Sequence, residues 1–254
     1  MTKEEFIKLR EEGKTFAQIG SIFGLTERQV NYRTKSWGLD YSKKKSLNES
    51  FFSGKEKAVY YWAGFLAADG WIEKERNRVG LALQAQDYKH LEKFKAAVNS
   101  QHDICPFMNN TAYRIRFNSE QMVSDLEDRF NITARKTFTY TMPEFEEPYL
   151  FFEFMRGYID GDGHLEKKPS GRVSISLCSA NKQFLEEYIE LCSLFVNKSI
   201  TQKIVLQENK KGSVHSVVFT LDDSEKLLNL LYANSTEKTR LDRKYETASL
   251  VLQK

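Results

Sequence analysis

The 254-residue sequence contains no apolar run approaching the roughly 20 residues that cross a bilayer, and its opening "MTKEEFIKLREEG" is too acidic and polar for a secretory signal. These absences predict a soluble, intracellular protein with no membrane partner. Cysteine is scarce. Cys105, Cys178 and Cys192 are odd in number, lack a CxxC spacing and have no clustered histidines, which excludes a disulfide framework and a zinc site and predicts buried thiols. The four histidines are dispersed, and neither a P-loop nor a serine or cysteine hydrolase elbow occurs. Large net charge is also missing. The balance is only +3, too small to identify an anionic partner by itself. Its distribution says more: residues 1–50 hold ten Lys/Arg against seven Asp/Glu, and the remainder holds 28 of each.

What is present is an ample core composition, 41% hydrophobic and 13% aromatic, in a length that suits two ordinary domains or one large one. Thr2, Thr15 and Thr26 each precede a short stretch of helical period, with stops at Gly13 and Gly24, so three short helices are expected in the first forty residues. In "FAQIGSIFGLTERQVNYR", Gly20, Gly24 and Val30 fall where two helices meet around a tight turn. This segment resembles a helix-turn-helix DNA-binding domain, residues 1–41, with Glu27 to Lys35 as recognition helix. The resemblance implies DNA contacts from Arg28, Gln29, Asn31, Tyr32, Arg33 and Lys35. Residues 42–56, polar and Lys/Ser-rich, read as a linker.

From residue 57 the chain repeats itself. Laying Asp69 on Asp162 brings "RVGLALQAQDYKHLEKFKAAV" onto "RVSISLCSANKQFLEEYIELC", and each half reads helix, strand, strand, helix, strand, strand, helix. Two similar subdomains, 57–150 and 151–254, are expected to pack about a pseudo-twofold axis within a monomer. "WAGFLAADG" places Gly64 four residues before Ala68, and "MRGYIDGDG" places Gly157 four before Gly161. Small residues at that spacing let another helix approach closely. Asp69 and Asp162 follow at the helix ends, each before a glycine suited to a left-handed cap. An acid there opposes the helix dipole at about 0.3–1 kcal/mol, and two such acids side by side repel. The arrangement makes sense if divalent cations sit between these carboxylates and an anionic substrate, with Mg²⁺ suited to hard oxygen ligands and phosphate. Phosphodiester hydrolysis is the chemistry this suggests.

The two motifs, 93 residues apart inside a matching repeat, are similar to those of single-chain LAGLIDADG homing endonucleases over residues 57–254. The resemblance implies an α+β fold of two αββαββα units whose strands form a saddle on duplex DNA. It implies Asp69 and Asp162 as catalytic and metal-binding acids, with the carbonyls of Ala68 and Gly161 as further ligands. Mg²⁺ is the implied cofactor, Mn²⁺ or Ca²⁺ being able to occupy the same sites. The implied activity is a double-strand break in a long specific site, and the alternatives on this fold are an RNA-splicing maturase or a non-cleaving transcription regulator. Ala67, where the second motif keeps Asp160, departs from the pattern at a position that is not the metal-binding acid.

A basic residue near each acid pair is also implied. Lys136 fits the first place, while the second falls to Lys238 by ungapped overlay or to Lys244 by the family's C-terminal pattern. In "YRIRFNS", Tyr113, Ile115 and Phe117 alternate with Arg114, Arg116 and Asn118, giving a core face and a DNA face. Arg78, Gln84 and Gln86 in the first repeat, and Arg172, Ser174 and Ser176 in the second, are analogous reading positions. Lys210 and Lys211 in a hairpin turn suit phosphate.

Overall fold

Threonine side chains start all three helices of the N-terminal unit, Met1–Lys45. The hydroxyls of Thr2, Thr15 and Thr26 accept from the backbone N–H of Glu5, Gln18 and Gln29, and those three side chains return the bond to the threonine N–H. The capping boxes satisfy N–H groups that a helix start leaves orphaned, and they fix α1 (Lys3–Glu11), α2 (Phe16–Phe23) and α3 (Glu27–Ser36). Phe6, Ile19 and Val30 form the unit's sealed centre. Gly20 is required there: a methyl group at that position would stand 2.4 Å from the Leu25 carbonyl oxygen.

The structure is a computed structural model and describes residues 1–39, 45–196, 202–209 and 212–252. Lys210 and Lys211 lie outside the described residues. No described helix is long and apolar enough to cross a membrane.

The second unit, Ser46–Lys254, has the α+β architecture expected from the repeat. Its first half runs α4 (Lys57–Asp69), β1 (Gly70–Glu73), β2 (Arg78–Gln84), α5 (Tyr88–Ala97), β3 (Cys105–Phe107), β4 (Ala112–Asn118) and α6 (Glu120–Phe130). The second runs α7 (Pro148–Asp162), β5 (His164–Lys167), β6 (Val173–Ser179), α8 (Lys182–Val196), β7 (Val205–Asn209), β8 (Gly212–Val218) and α9 (Leu221–Tyr232), followed by α10 (Asp242–Leu252). Each half builds an antiparallel four-stranded sheet, in order β1-β2-β4-β3 and β5-β6-β8-β7. Period-two alternation buries one face: Val79, Leu81, Ile115 and Phe117 in the first sheet, Val173, Ile175, Leu177 and Val217 in the second. Helices α4 and α7 pack on each other at the centre of one continuous apolar core.

The stretch expected as a linker is a working part of this unit from Ser46 onward. Asn48 N–H donates to the Val98 carbonyl, Gln101 N–H donates to the Ser46 carbonyl, and Phe52 is fully buried. The Lys/Ser composition hid Leu47, Phe51 and Phe52, which pack on the core. The cysteines also differ from expectation: Cys192 is buried, but Cys105 and Cys178 are exposed.

Candidate active site

Helices α4 and α7 approach each other closely, and glycine permits it on both sides. A methyl at Gly64 would stand 1.9 Å from the Phe154 carbonyl oxygen; one at Gly157 would stand 1.9 Å from the Tyr61 carbonyl oxygen. The two contacts are related by the same 93-residue offset as the motifs, so the helix pair is locally twofold. One turn further on, a methyl at Gly161 would meet the Ala68 Cβ at 2.5 Å and the Asp69 Oδ2 at 3.3 Å. The small residues therefore bring together the helix ends that carry Asp69 and Asp162.

The glycines after the acids do not form left-handed caps. Gly70 and Gly163 are extended, with φ of −83° and −72°, and their lack of a side chain instead clears Leu66 and Ile159 in the preceding turn. The helix ends are satisfied by lysines. Lys136 Nζ, in the turn Lys136–Phe138, donates to the Gly70 carbonyl at 2.5 Å. Lys244 Nζ, from α10, donates to the carbonyls of Gly163 at 2.6 Å and Gly161 at 3.1 Å, and also to that of Ile159. A cation at a helix C-terminus offsets the dipole that the two acids oppose. Lys238, the other candidate for the second position, is exposed. Lys244 reaches this helix end from the start of α10, whereas Lys238 lies in the turn at Glu237–Thr239.

Burial and charge set the protonation of this cluster. The Asp69 carboxyl is pushed up to about 6, chiefly by loss of water and then by Asp162, against the attraction of Lys244 and Lys136. Asp162 is raised as well, by loss of water, with Lys244 and Lys136 opposing. Asp162 keeps solvent access where it lines the cleft described below. Loss of water lowers Lys244 to about 8 and lowers Lys136 too, while the carboxylates pull both back up.

Among the described residues no three His, Cys, Asp or Glu side chains converge as a protein-only metal cage. The carboxylates of Asp69 and Asp162 are hard oxygen donors, the kind that suits a cation completing its shell from water and phosphate. The Gly161 carbonyl accepts from Lys244. Beside these groups opens a cleft of about 270 Å³, lined by Ala68, Lys136, Tyr158, Asp162, Cys178 and Val214 among others.

Several buried polar residues around the cleft have no signature in the sequence. Asp160, the non-metal acid of the second motif, accepts from Tyr61 Oη at 2.8 Å, Tyr232 Oη at 2.6 Å and Leu241 N–H at 2.8 Å. Arg156, one turn earlier, donates to the carbonyls of Thr239 and Leu231 and pairs with Glu153. Together they tie α7 to the loop that delivers Lys244. Their counterparts in the first repeat are Ala63 and Ala67, so the two halves hold their lysines differently. His90, among Tyr61, Trp62 and Phe65, is held neutral by burial, its imidazole lowered to about 3.

The expected DNA-reading positions divide. Arg114, Arg116 and Asn118 lie on the face of β4 opposite buried Ile115 and Phe117, and Gln84 and Gln86 are exposed. Arg78 shares that face but is bound to Asn118 and Glu73. In the second half, Ser176 is partly exposed, while Ser174 is only 4% exposed and screened by its neighbours. Arg172 is drawn away from the strand face to Glu225 and Asp222 of α9. Those two corrections share a cause: strand alternation fixes the face and not what neighbouring chains do above it. In the N-terminal unit Arg28, Asn31, Tyr32, Arg33 and Lys35 are exposed on α3, and Tyr32 is 77% exposed. Gln29 is exposed too, but its side-chain oxygen is used by the Thr26 N–H in the capping box.

No curated protein matches the chain. Among solved structures it is similar to full-length DUF199/WhiA from Thermatoga maritima, at 13% identity and a TM-score of 0.49, covering 80% of this chain and 64% of that one. It therefore spans under two thirds of that protein's length. It is similar to the LAGLIDADG homing endonuclease I-LtrWI bound to target DNA, at 11% identity and a TM-score of 0.46, covering 81% and 91% of the two chains. It is also similar to I-DmoI in complex with DNA and Ca, at 14% identity and a TM-score of 0.47, covering 80% and 98%. A family model described as the LAGLIDADG-like domain matches residues 151–232. The chain thus has an α+β architecture of two antiparallel four-stranded sheets with paired motif helices, and its residues 151–232 are similar to the LAGLIDADG-like domain.

Proposed function

We propose that this chain is a divalent-metal-dependent endodeoxyribonuclease that makes a double-strand break in a long, specific duplex, a homing endonuclease acting as a monomer with an internal twofold. One observation carries the reading. Asp69 and Asp162 end two helices that glycines hold in backbone contact, where burial, mutual repulsion and two helix dipoles all oppose their charge. Folding alone would favour a neutral or basic residue there; a cation shared with a phosphodiester makes both acids useful. Such a site fits Mg²⁺, with Mn²⁺ or Ca²⁺ as substitutes, and the bound metal supplies an activated water and charge stabilisation at the phosphate.

The chain's own groups do the rest. Asp69 and Asp162, with the carbonyls of Ala68 and Gly161, would hold the cation. Lys136 and Lys244, one for each strand, hold the glycine carbonyls at the acid-bearing helix ends and bring positive charge close to where the scissile phosphate would lie. Subdomains 57–150 and 151–254 each present a sheet face to half of the duplex. The N-terminal unit acts as a helix-turn-helix that adds contacts beside the cut, and the protein works in a DNA-containing compartment of the cell, in the mobility of an intron or similar element.

The test is genome-wide mapping of DNA ends after incubation of total DNA with purified protein, in Mg²⁺ and in chelator. Discrete paired ends that require Mg²⁺ are expected. Failure to cut any DNA, including the native locus with its insertion removed, would replace this reading with that of a non-cleaving regulator or a maturase.

A further inference from the structure

The two sheets present different chemistry on the faces turned away from the core. In the first, the register aligns Trp71, Gly80 and Arg116 across three strands, then Ala82 with Arg114 and Cys105. A methyl at Gly80 would stand 2.3 Å from the Trp71 ring, so the indole lies flat over the sheet. Arg114 leans on the Phe107 ring at 4.6 Å, and Arg116, among the described residues, has neither a hydrogen-bond nor an ion-pair partner. Two guanidiniums with forked donors are thus on offer beside the site.

The second sheet, built the same way, replaces them. Across its outer face Val218 aligns with Ser176 and His164, and Ser216 with Cys178 and Val205. Val218 is 56% and Val205 47% exposed, and no Lys or Arg lies in these rows among the described residues. The patch is continuous with the candidate active site, because Val214 and Cys178 line the same cleft as Asp162 and Lys136. A helix or second chain covering this face would block that cleft.

We infer that the second sheet reads its half of the duplex by apolar contact with thymine C5-methyl groups, through Val214 and Val218, while the first reads guanines through Arg114 and Arg116. This rests on the duplex-cutting reading above and adds to it the composition of the site. The major groove offers a donor or acceptor at every base but an apolar group only at thymine. The valines can complement the methyl and themselves offer no donor, while the serine hydroxyls, His164 and Gln207 on this face lack the forked donors of a guanidinium. Forked guanidiniums suit the paired acceptors O6 and N7 of guanine. The target is accordingly asymmetric, thymine-rich under residues 164–218 and guanine-bearing under residues 71–116.

The test uses the full chain and a random duplex pool, selected for binding in Ca²⁺. In the enriched duplex, thymines are replaced by uracil and guanines by 7-deazaguanine, one half-site at a time. Loss of each contacted methyl should weaken binding about fourfold, in one half-site only, and Val214→Ser with Val218→Ser should abolish that sensitivity. Sensitivity to 7-deazaguanine should lie in the other half-site, weaken in Arg116→Ala and vanish when Arg114→Ala is added. Val218 is exposed, so its substitution leaves the core intact, and an unchanged thermal midpoint verifies this. Uracil without effect in either half-site, or a uracil effect unaltered by the valine variants, would overturn the inference and leave the proposed function standing. Enrichment of no duplex by the folded protein would overturn both.

Discussion

Lys244 stands to Gly163 as Lys136 stands to Gly70: each ammonium donates to the carbonyl of the glycine that follows a motif acid, at 2.6 and 2.5 Å. The pairing relates residues 108 apart, whereas the motifs are 93 apart, so the twofold is kept in space though not in chain length.

Lys244→Met and Lys136→Met should therefore each slow cleavage of one strand, by about a hundredfold if each ammonium supplies charge stabilisation at one scissile phosphate. Nicked circles would accumulate from a supercoiled plasmid, with opposite strands cut in the two variants. Lys238→Met should behave as the wild type within about twofold, since the side chain is exposed. Strand-resolved gels decide it, and equal slowing of both strands by Lys244→Met would mark it as structural.

The acids should cost stability when no metal is bound. Folding raises Asp69 from 3.8 to about 6, so the stability tied to its proton is fully present below about pH 4 and lost as pH rises through about 6. At pH 7.5 in chelator, Asp69→Asn should melt higher than the wild type by roughly 2–4 °C, about 1 kcal/mol after screening by solvent. At pH 4 the two should coincide. Mg²⁺ should narrow the gap at pH 7.5 by stabilising the wild type.

Gly64→Ala tests the helix contact. With a carbonyl oxygen 1.9 Å from the added methyl, α4 and α7 must separate, at a cost of about 3 kcal/mol or more. A fall in Tm of roughly 6–12 °C is expected, together with loss of cleavage. An unchanged Tm would mean that the helices are not held this closely.

Much of this was legible before any coordinates. Threonine caps, strand alternation and the two motifs are local patterns, and local patterns survive folding: Thr2, Thr15 and Thr26 cap as read, and Ile115 and Phe117 turn inward. Long-range partners were not legible. Nothing near Arg172 in the chain announces Asp222 and Glu225, and nothing near Asp160 announces Leu241. Phe52 was missed because three lysines nearby dominate the composition.

Phe52 also determines where the chain can be shortened. Removing residues 1–44 should leave a folded protein that cuts the same phosphodiesters, binds more weakly and shows a shallower salt dependence, as lost phosphate contacts require. Starting at Ser53 instead removes the bonds of Ser46 and Asn48 and the buried Phe52 ring, and should lower Tm by roughly 6 °C or more. Footprints of the full and 45–254 chains on one target should differ only to one side of the cut. Identical footprints and affinities would assign the N-terminal unit another role.

The most direct measurement compares Asp69→Asn, Asp162→Asn and the wild type on one selected duplex, recording Kd in Ca²⁺ and cleavage in Mg²⁺. Paired metal-holding acids predict that each variant binds within about threefold of the wild type, or tighter as repulsion from phosphate is removed, and loses cleavage by at least about a hundredfold. Full cleavage by both single variants would contradict the account.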